Sequence, residues 1–188
     1  MRIYIVGGPG AGKTNLASAL AHRLGAPHLD LDDLWDRLFE RDAVGQITAA
    51  AHTFREELVA EYVDRNDWVI EGAEPPFLEA FAEASDLIVW CDVPFVVAAA
   101  RISRRHVLAD LRRRNRYPGY RRLFEFIRSV RRRYAVGDEG TDGQWTRWRR
   151  PHVAAAALRY EGKTLRLLRG STERNLSAVM ERVHSIKG

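Results

Sequence analysis

A doubly wound, five-stranded parallel α/β sheet is the fold class this sequence predicts, and three observations predict it. Five short strands alternate with helix-patterned segments along 188 residues. One of them, Leu87-Ile88-Val89-Trp90-Cys91, is apolar at every position, as in a parallel strand covered on both faces. The first strand, Ile3-Tyr4-Ile5-Val6, runs through a glycine-rich loop straight into a helix.

The elements follow in order. A helix over 14–24 places Leu16, Ala19, Leu20 and Leu24 on one face and stops at Gly25, with Pro27 beyond. A short strand at 28–31 follows. Residues 33–66 read as acidic helix, broken around 42–46; Leu34 and Leu38 lie one turn apart, and Phe54, Leu58 and Tyr62 recur every four residues. Trp68-Val69-Ile70-Glu71 is a buried strand ended by Gly72. After Pro75-Pro76 a helix over 77–84 packs Phe77, Leu78 and Phe81. Asp92-Val93-Pro94 turns the chain after the fourth strand, Pro94 pre-setting the bend, and a helix of about 95–104 follows. From His106 the pattern is arginine-rich helix with breaks: a turn at 117–120, an amphipathic stripe of Leu123, Phe124, Ile127 and Val130, and a loop at 137–143. A helix over 154–160, a last strand over 164–168 and a helix capped by Ser171 complete the chain.

Composition bounds the class. An apolar fraction of 46% and a charged fraction of 29% suit a globular domain. No apolar run approaches the roughly 18 residues of a membrane span, and the first apolar stretch ends too early for a signal peptide. The single cysteine, Cys91, excludes an internal disulfide. A cytoplasmic enzyme is expected. The net charge of +5 is unevenly spread: residues 101–150 carry sixteen arginines against five acids, a balance of +11, which leaves the rest at −6. Something anionic is expected beside that segment.

The loop Gly7-Gly8-Pro9-Gly10-Ala11-Gly12-Lys13-Thr14 fits G-x-x-x-x-G-K-[ST] in the strand–loop–helix setting the motif requires. Its glycines let backbone N–H groups close on a polyphosphate, and the following helix adds its unsatisfied N-terminal donors and positive dipole end. Lys13 neutralises β- and γ-phosphate oxygens in such a site, and the Thr14 hydroxyl sits on Mg²⁺. Ligands of doubly wound sheets bind outside the carboxyl ends of the strands, which nominates this loop, Asp30, Glu71, Asp92 and the segment after Leu168. Asp30 and Asp32, two apart at a strand end, are expected to project the same way. Asp33 is the expected helix cap, and Asp92 a turn residue. His28 and His106 stand singly, with no metal-ligand spacing. Trp145 and Trp148, among Arg147, Arg149 and Arg150, read as packing residues; a base-stacking surface is the alternative.

With these pieces in place the chain resembles the P-loop small-molecule kinases of the adenylate kinase type. Gly7–Thr14 is similar to their phosphate loop, Trp68-Val69-Ile70-Glu71-Gly72 to their third strand, and Leu87–Arg105 to their fourth strand, D-V-P turn and arginine-bearing helix leading into a lid. Within that type it looks closest to the adenylate-kinase-related ATPases labelled DNA topology modulation proteins, through His28-Leu29-Asp30-Leu31-Asp32 and Trp68–Gly72.

The resemblance implies one domain over 1–188, with an acceptor-binding region of about 32–67 and a lid of about 101–150. It implies ATP held by Gly7 through Asn15 with Arg101 and Arg105, Arg101 packing on the base and Arg105 reaching phosphates. A guanidinium suits both tasks, and the two arginines, four apart, share a helix face. Mg²⁺ falls to Thr14, Asp30 and Glu71. Lys13, Asp32 and Arg105 are the catalytic candidates, with Asp32 orienting or deprotonating the acceptor, as the D-x-D of shikimate kinase suggests. Two departures bear on that acceptor. Ala73-Glu74-Pro75 follows Glu71-Gly72 without the family's phosphate-holding arginine, and Arg37, Arg41 and Arg55 match none of its acceptor arginines. The expected activity is phosphoryl transfer from ATP to a small molecule, an unphosphorylated one at least as plausibly as a nucleotide. A nucleotide-responsive nucleic-acid binder using 101–150 and a slow ATPase are the alternatives.

Overall fold

Strand β1 (Arg2–Gly7) lies at the centre of the molecule, buried at Ile3 through Gly7. The computed structural model describes residues 1–34, 49–73, 75–115, 118–135, 149–169 and 171–188. With β2 (His28–Asp30), β3 (Trp68–Glu71), β4 (Leu87–Cys91) and β5 (Thr164–Leu167), β1 forms a wholly parallel sheet in the order β2-β3-β1-β4-β5. The predicted five-stranded parallel sheet is therefore present.

Helices α1 (Lys13–Leu24), α2 (Ala49–Val63), α3 (Pro75–Ala84), α4 (Phe95–Leu111), α5 (Tyr120–Tyr134), α6 (Arg150–Arg159) and α7 (Thr172–Lys187) surround it. Strand periodicity sorts the core into two layers. Tyr4 and Val6, with Trp68, Ile70, Ile88 and Trp90, meet Leu58 of α2, Phe77 and Phe81 of α3 and Val153 of α6. Ile3 and Ile5, with Val69, Leu87 and Val89, meet Leu16 and Leu20 of α1 and Val179 and Val183 of α7. Phe81 is the hub of the first layer, its ring centroid 5.9 Å from those of Tyr4 and Trp68 and 6.2 Å from that of Phe77. Truncating such a residue costs about 3–5 kcal/mol.

Element ends differ from expectation for local reasons. Strand β2 stops at Asp30, because Leu31 already begins a helical turn, and β5 stops at Leu167. Helix α3 starts at Pro75, since proline suits a first turn, and α6 likewise starts at Arg150 with Pro151 behind it. Helix α4 continues to Leu111, because its arginines, leucines and alanines favour helix, and the chain turns where Arg113 takes φ 51°. Phe124 is not part of the packed stripe: it is 67% exposed, whereas Val130 is fully buried. Ser171 does cap α7, its Oγ accepting from Arg174 N at 3.3 Å. Among the described residues no helix is long and apolar enough to cross a membrane. The expectations for 42–46, 137–143, Trp145 and Trp148 lie outside the described residues, as do Arg37, Arg41 and the side chain of Arg55.

Candidate functional site

The register gathers the nominated residues at one edge of the sheet. Asp30 pairs with Glu71, Glu71 with Ile5, and Gly7 with Cys91, so the ends of β2, β3, β1 and β4 stand side by side. The glycine loop leaves from the middle of that edge.

The loop's shape depends on glycine. At Gly10, φ is 76° and a Cβ would stand 2.6 Å from the Ala98 carbonyl oxygen, so the loop rests directly on α4. Ala11 N donates to Gly8 O at 3.1 Å, closing the bend, and α1 begins at Lys13. Arg101, half-buried on α4, donates from Nη1 to Ala11 O at 2.9 Å and to Gly10 O at 3.5 Å. It thus braces the loop's carbonyls, turning their partner N–H groups the other way. Arg105, one turn on, is exposed.

Lys13 is buried, 6% exposed, and its Nζ lies 2.9 Å from Asp32 Oδ2 and 3.5 Å from Gly8 O. Burial alone would lower its pKa, but the Asp32 carboxylate, with Glu71 and Cys91 behind it, outweighs that and raises it. Asp32 Oδ1 accepts from Ala73 N at 3.4 Å. The approach depends on Gly72, where φ is 133° and a Cβ would stand 2.7 Å from that of Leu31.

Behind this pair sits Glu71, fully buried. Thr14 Oγ1 donates to its Oε2 at 3.1 Å, and His28 Nε2 lies 3.3 Å from its Oε1. Burial pushes Glu71 up to about 7; Lys13 opposes the rise, and Asp30 and Asp32 add to it. Because the Thr14 proton points at Glu71, its oxygen lone pairs are left for a further partner.

Three expectations about the acids are corrected. Asp30 and Asp32 do not sit on one extended segment, because Leu31 starts a helical turn between them; both carboxylates nonetheless act on Glu71. The cap is Asp30 rather than Asp33: its Oδ1 accepts from Asp33 N at 3.0 Å. Asp92 is no mere turn residue. Its buried carboxylate accepts from Arg150 Nε and Nη2 at 2.7 and 2.9 Å and from Arg166 Nε at 3.0 Å. Both guanidiniums lie over Trp90, 5.9 and 4.7 Å from its ring centroid. Burial alone would raise the Asp92 pKa; the two arginines override it and hold it below the usual carboxylate range. The sequence held one clue to His28, which is two residues before Asp30 and so shares its side of the strand.

Beside the loop an open groove is lined by Asn15, Ser18, Ala19, His22 and Arg23 of α1 and by Thr172 and Leu176 of α7. Among the described residues no group of three His, Cys, Asp or Glu side chains is placed to hold a metal by itself.

A family model described as AAA domain matches residues 3–134. No curated protein matches the chain significantly. Among solved structures, a shikimate kinase from Acinetobacter baumannii in complex with shikimate is 18% identical with a TM-score of 0.50, covering 98% of this chain and 93% of its own. A gluconokinase from Sinorhizobium meliloti 1021 is 12% identical with a TM-score of 0.52, covering 97% and 95%. A deoxyadenosine kinase from M. mycoides with bound dATP is 11% identical with a TM-score of 0.53, covering 98% and 100%. The fold is that of the P-loop kinases.

Proposed function

The chain belongs to the AAA domain family, and from the geometry of its glycine loop we propose that it is an ATP- and Mg²⁺-dependent phosphotransferase acting on a small-molecule acceptor. One observation carries the reading. A buried lysine closes a glycine loop at a helix N-terminus and faces a carboxylate, Asp32, that comes from a different element. A cation for the transferred phosphoryl group and an acid for the acceptor hydroxyl therefore stand next to each other. The fold, shared with structures named as kinases of shikimate, gluconate and deoxyadenosine, supports the same reading.

In this assignment the amides from Gly7 to Asn15 hold the triphosphate, with Pro9 and Ala11 shaping the loop. Lys13 neutralises the transferred phosphoryl, and the open groove between α1 and α7 is the side on which the nucleoside end lies. Arg101 orients the loop's donors rather than packing on the base, and exposed Arg105 is left to reach phosphate. The donor set fits Mg²⁺: Thr14 offers a hydroxyl oxygen, Glu71 and Asp30 offer carboxylates, and a hard cation takes only a few protein oxygens when phosphates supply the others. Thr14 would hold the ion directly, with Glu71 and Asp30 acting through its waters. When bound, the ion neutralises charge on the β- and γ-phosphates.

The acceptor side favours an unphosphorylated hydroxyl. The carboxylate of Asp32 reaches the backbone after Glu71-Gly72, where the sequence supplies Ala73 and no arginine to hold a phosphate. The finer likeness to the adenylate-kinase-related ATPases adds nothing to this assignment. The test measures ADP release from ATP·Mg²⁺ against nucleosides, nucleotides, sugars and hydroxy acids, with Lys13→Ala as control. Acceptor-dependent release that Lys13→Ala abolishes is expected. Release that survives in that variant refutes the assignment, and release that no acceptor accelerates makes the protein an ATPase.

A further inference from the structure

Phosphoryl transfer uses few of the arginines in 101–150. Helix α5 carries six arginines against one acid, Glu125, which Arg121 holds at 3.0 Å. Arg122, Arg128, Arg131 and Arg132 are all exposed. Three exposed aromatic rings stand on the same helix: Tyr120 and Phe124, 69% and 67% exposed, and the less exposed Phe126 at 39%. Tyr120, Phe124 and Arg128 succeed one another at four-residue spacing, and Arg131 falls beside them, so all four share a strip of the helix surface.

We propose that this outer strip of α5 binds single-stranded nucleic acid, with bases stacked on Tyr120 and Phe124 and phosphates paired to Arg128, Arg131 and Arg132. Charge complementarity selects a polyanion. The rings select its kind: an exposed aromatic face stacks on any unpaired base, whereas duplex bases are already stacked on each other. An anionic lipid surface suits the strip less well. A helix binding lipid lays its aliphatic face into the bilayer, but α5 turns that face inward: it packs on α4 and α6, Leu123 and Ile127 are half-buried, and Val130 is fully buried. The proposal does not rest on the phosphotransferase reading.

The test uses the full chain without nucleotide and a fluorescein-labelled oligothymidine of about 20 nucleotides, a length that spans one stacking platform. Anisotropy is followed from roughly 50 to 200 mM salt, beside a duplex of equal length and vesicles of phosphatidylcholine with phosphatidylglycerol. Saturable binding that weakens with salt and prefers the single strand over the duplex is expected. Phe124→Ala and Tyr120→Ala should each weaken it about fivefold or more. Arg128→Glu with Arg131→Glu should flatten the log–log salt slope by roughly 1.4. These side chains are exposed, so unchanged thermal midpoints should show that the variants fold. Binding that persists in Lys13→Ala supports the proposal even if phosphoryl transfer is disproved. No binding at the lowest salt overturns it. So does equal affinity for duplex with no effect of the ring substitutions, which leaves charge alone. Capture by vesicles but not by oligothymidine overturns it in favour of lipid.

Discussion

Lys13 Nζ lies 2.9 Å from Asp32 Oδ2, so the cation of the glycine loop and the carboxylate facing it neutralise each other. On the proposed reading, a triphosphate that recruits Lys13 would compete with Asp32, and its arrival would free that carboxylate for the acceptor. Asp32→Asn should therefore split binding from turnover. With Asp32 41% exposed, the lost competition is worth about 1 kcal/mol, and an unreactive ATP analogue should bind roughly fivefold tighter. Turnover should fall about 100-fold or more if Asp32 handles the acceptor proton. Calorimetric titration and steady-state rates check both; weaker binding with unchanged turnover would remove Asp32 from the site.

Glu71 gives a pH dependence opposite to that of an ordinary paired carboxylate. Its pKa rises on folding from 4.5 to about 7, so between those values the folded protein holds a proton that the unfolded chain has released. Its contribution is greatest below about 4.5 and is lost as the pH climbs to 7, by at most about 3 kcal/mol. In a metal-free buffer, Glu71→Gln should remove that decline. Urea unfolding at pH 5 and pH 8 would show it, and an unchanged difference between the two would contradict the assignment.

Arg101 bonds to the carbonyls of Ala11 and Gly10, so its loss should loosen the loop rather than remove a nucleotide contact. Arg101→Ala is expected to weaken ATP binding about tenfold, in line with a charge-assisted hydrogen bond. ADP, inorganic triphosphate and ATP should suffer alike, because the defect lies in the cradle. A loss confined to nucleotides with a base would return Arg101 to the base.

Asp92 ties β4 to α6 and β5 through Arg150 and Arg166. Asp92→Asn should cost about 2 kcal/mol, below the range for a wholly buried pair because both arginines are partly exposed. Coupling in double-mutant cycles should be larger to Arg150, whose two bonds engage both carboxylate oxygens and whose side chain is the less exposed. The carboxylate's depressed pKa makes this contribution full above its unfolded value near 3.8, and it fades as pH falls through the folded one.

What could be read in the sequence follows the range of the interactions. The passage from β1 through the loop to α1 is local, carried by glycines and a lysine at fixed spacing, and it was legible. So was the middle of the sheet, because β1, β3 and β4 declare their burial by their own composition, whereas the edge strands β2 and β5 are largely unburied. Asp92 was not: its arginines stand 58 and 74 residues away, and an aspartate near a proline reads as a turn. Asp30 and Asp33 compete for one cap within four residues, a choice decided by where β2 stops. Arg101 and Arg105 look equivalent by spacing, yet one is half-buried against the loop and the other is exposed, because only Arg101 sits where Gly10 lets α4 approach.

The central place of β1 has a consequence for the nascent chain. The strand that leads into the loop has as its neighbours β3 and β4, and its loop is braced from α4, so the ribosome must deliver the chain through Arg101 before the motif has all that it rests on. The tie from Asp92 to Arg166 waits for 74 further residues. Such sequence-distant pairing closes large loops and is slow. An N-terminal fragment ending before β3 displays every letter of the phosphate motif and should grip no phosphate, so for this chain a stalled translation product is a silent one.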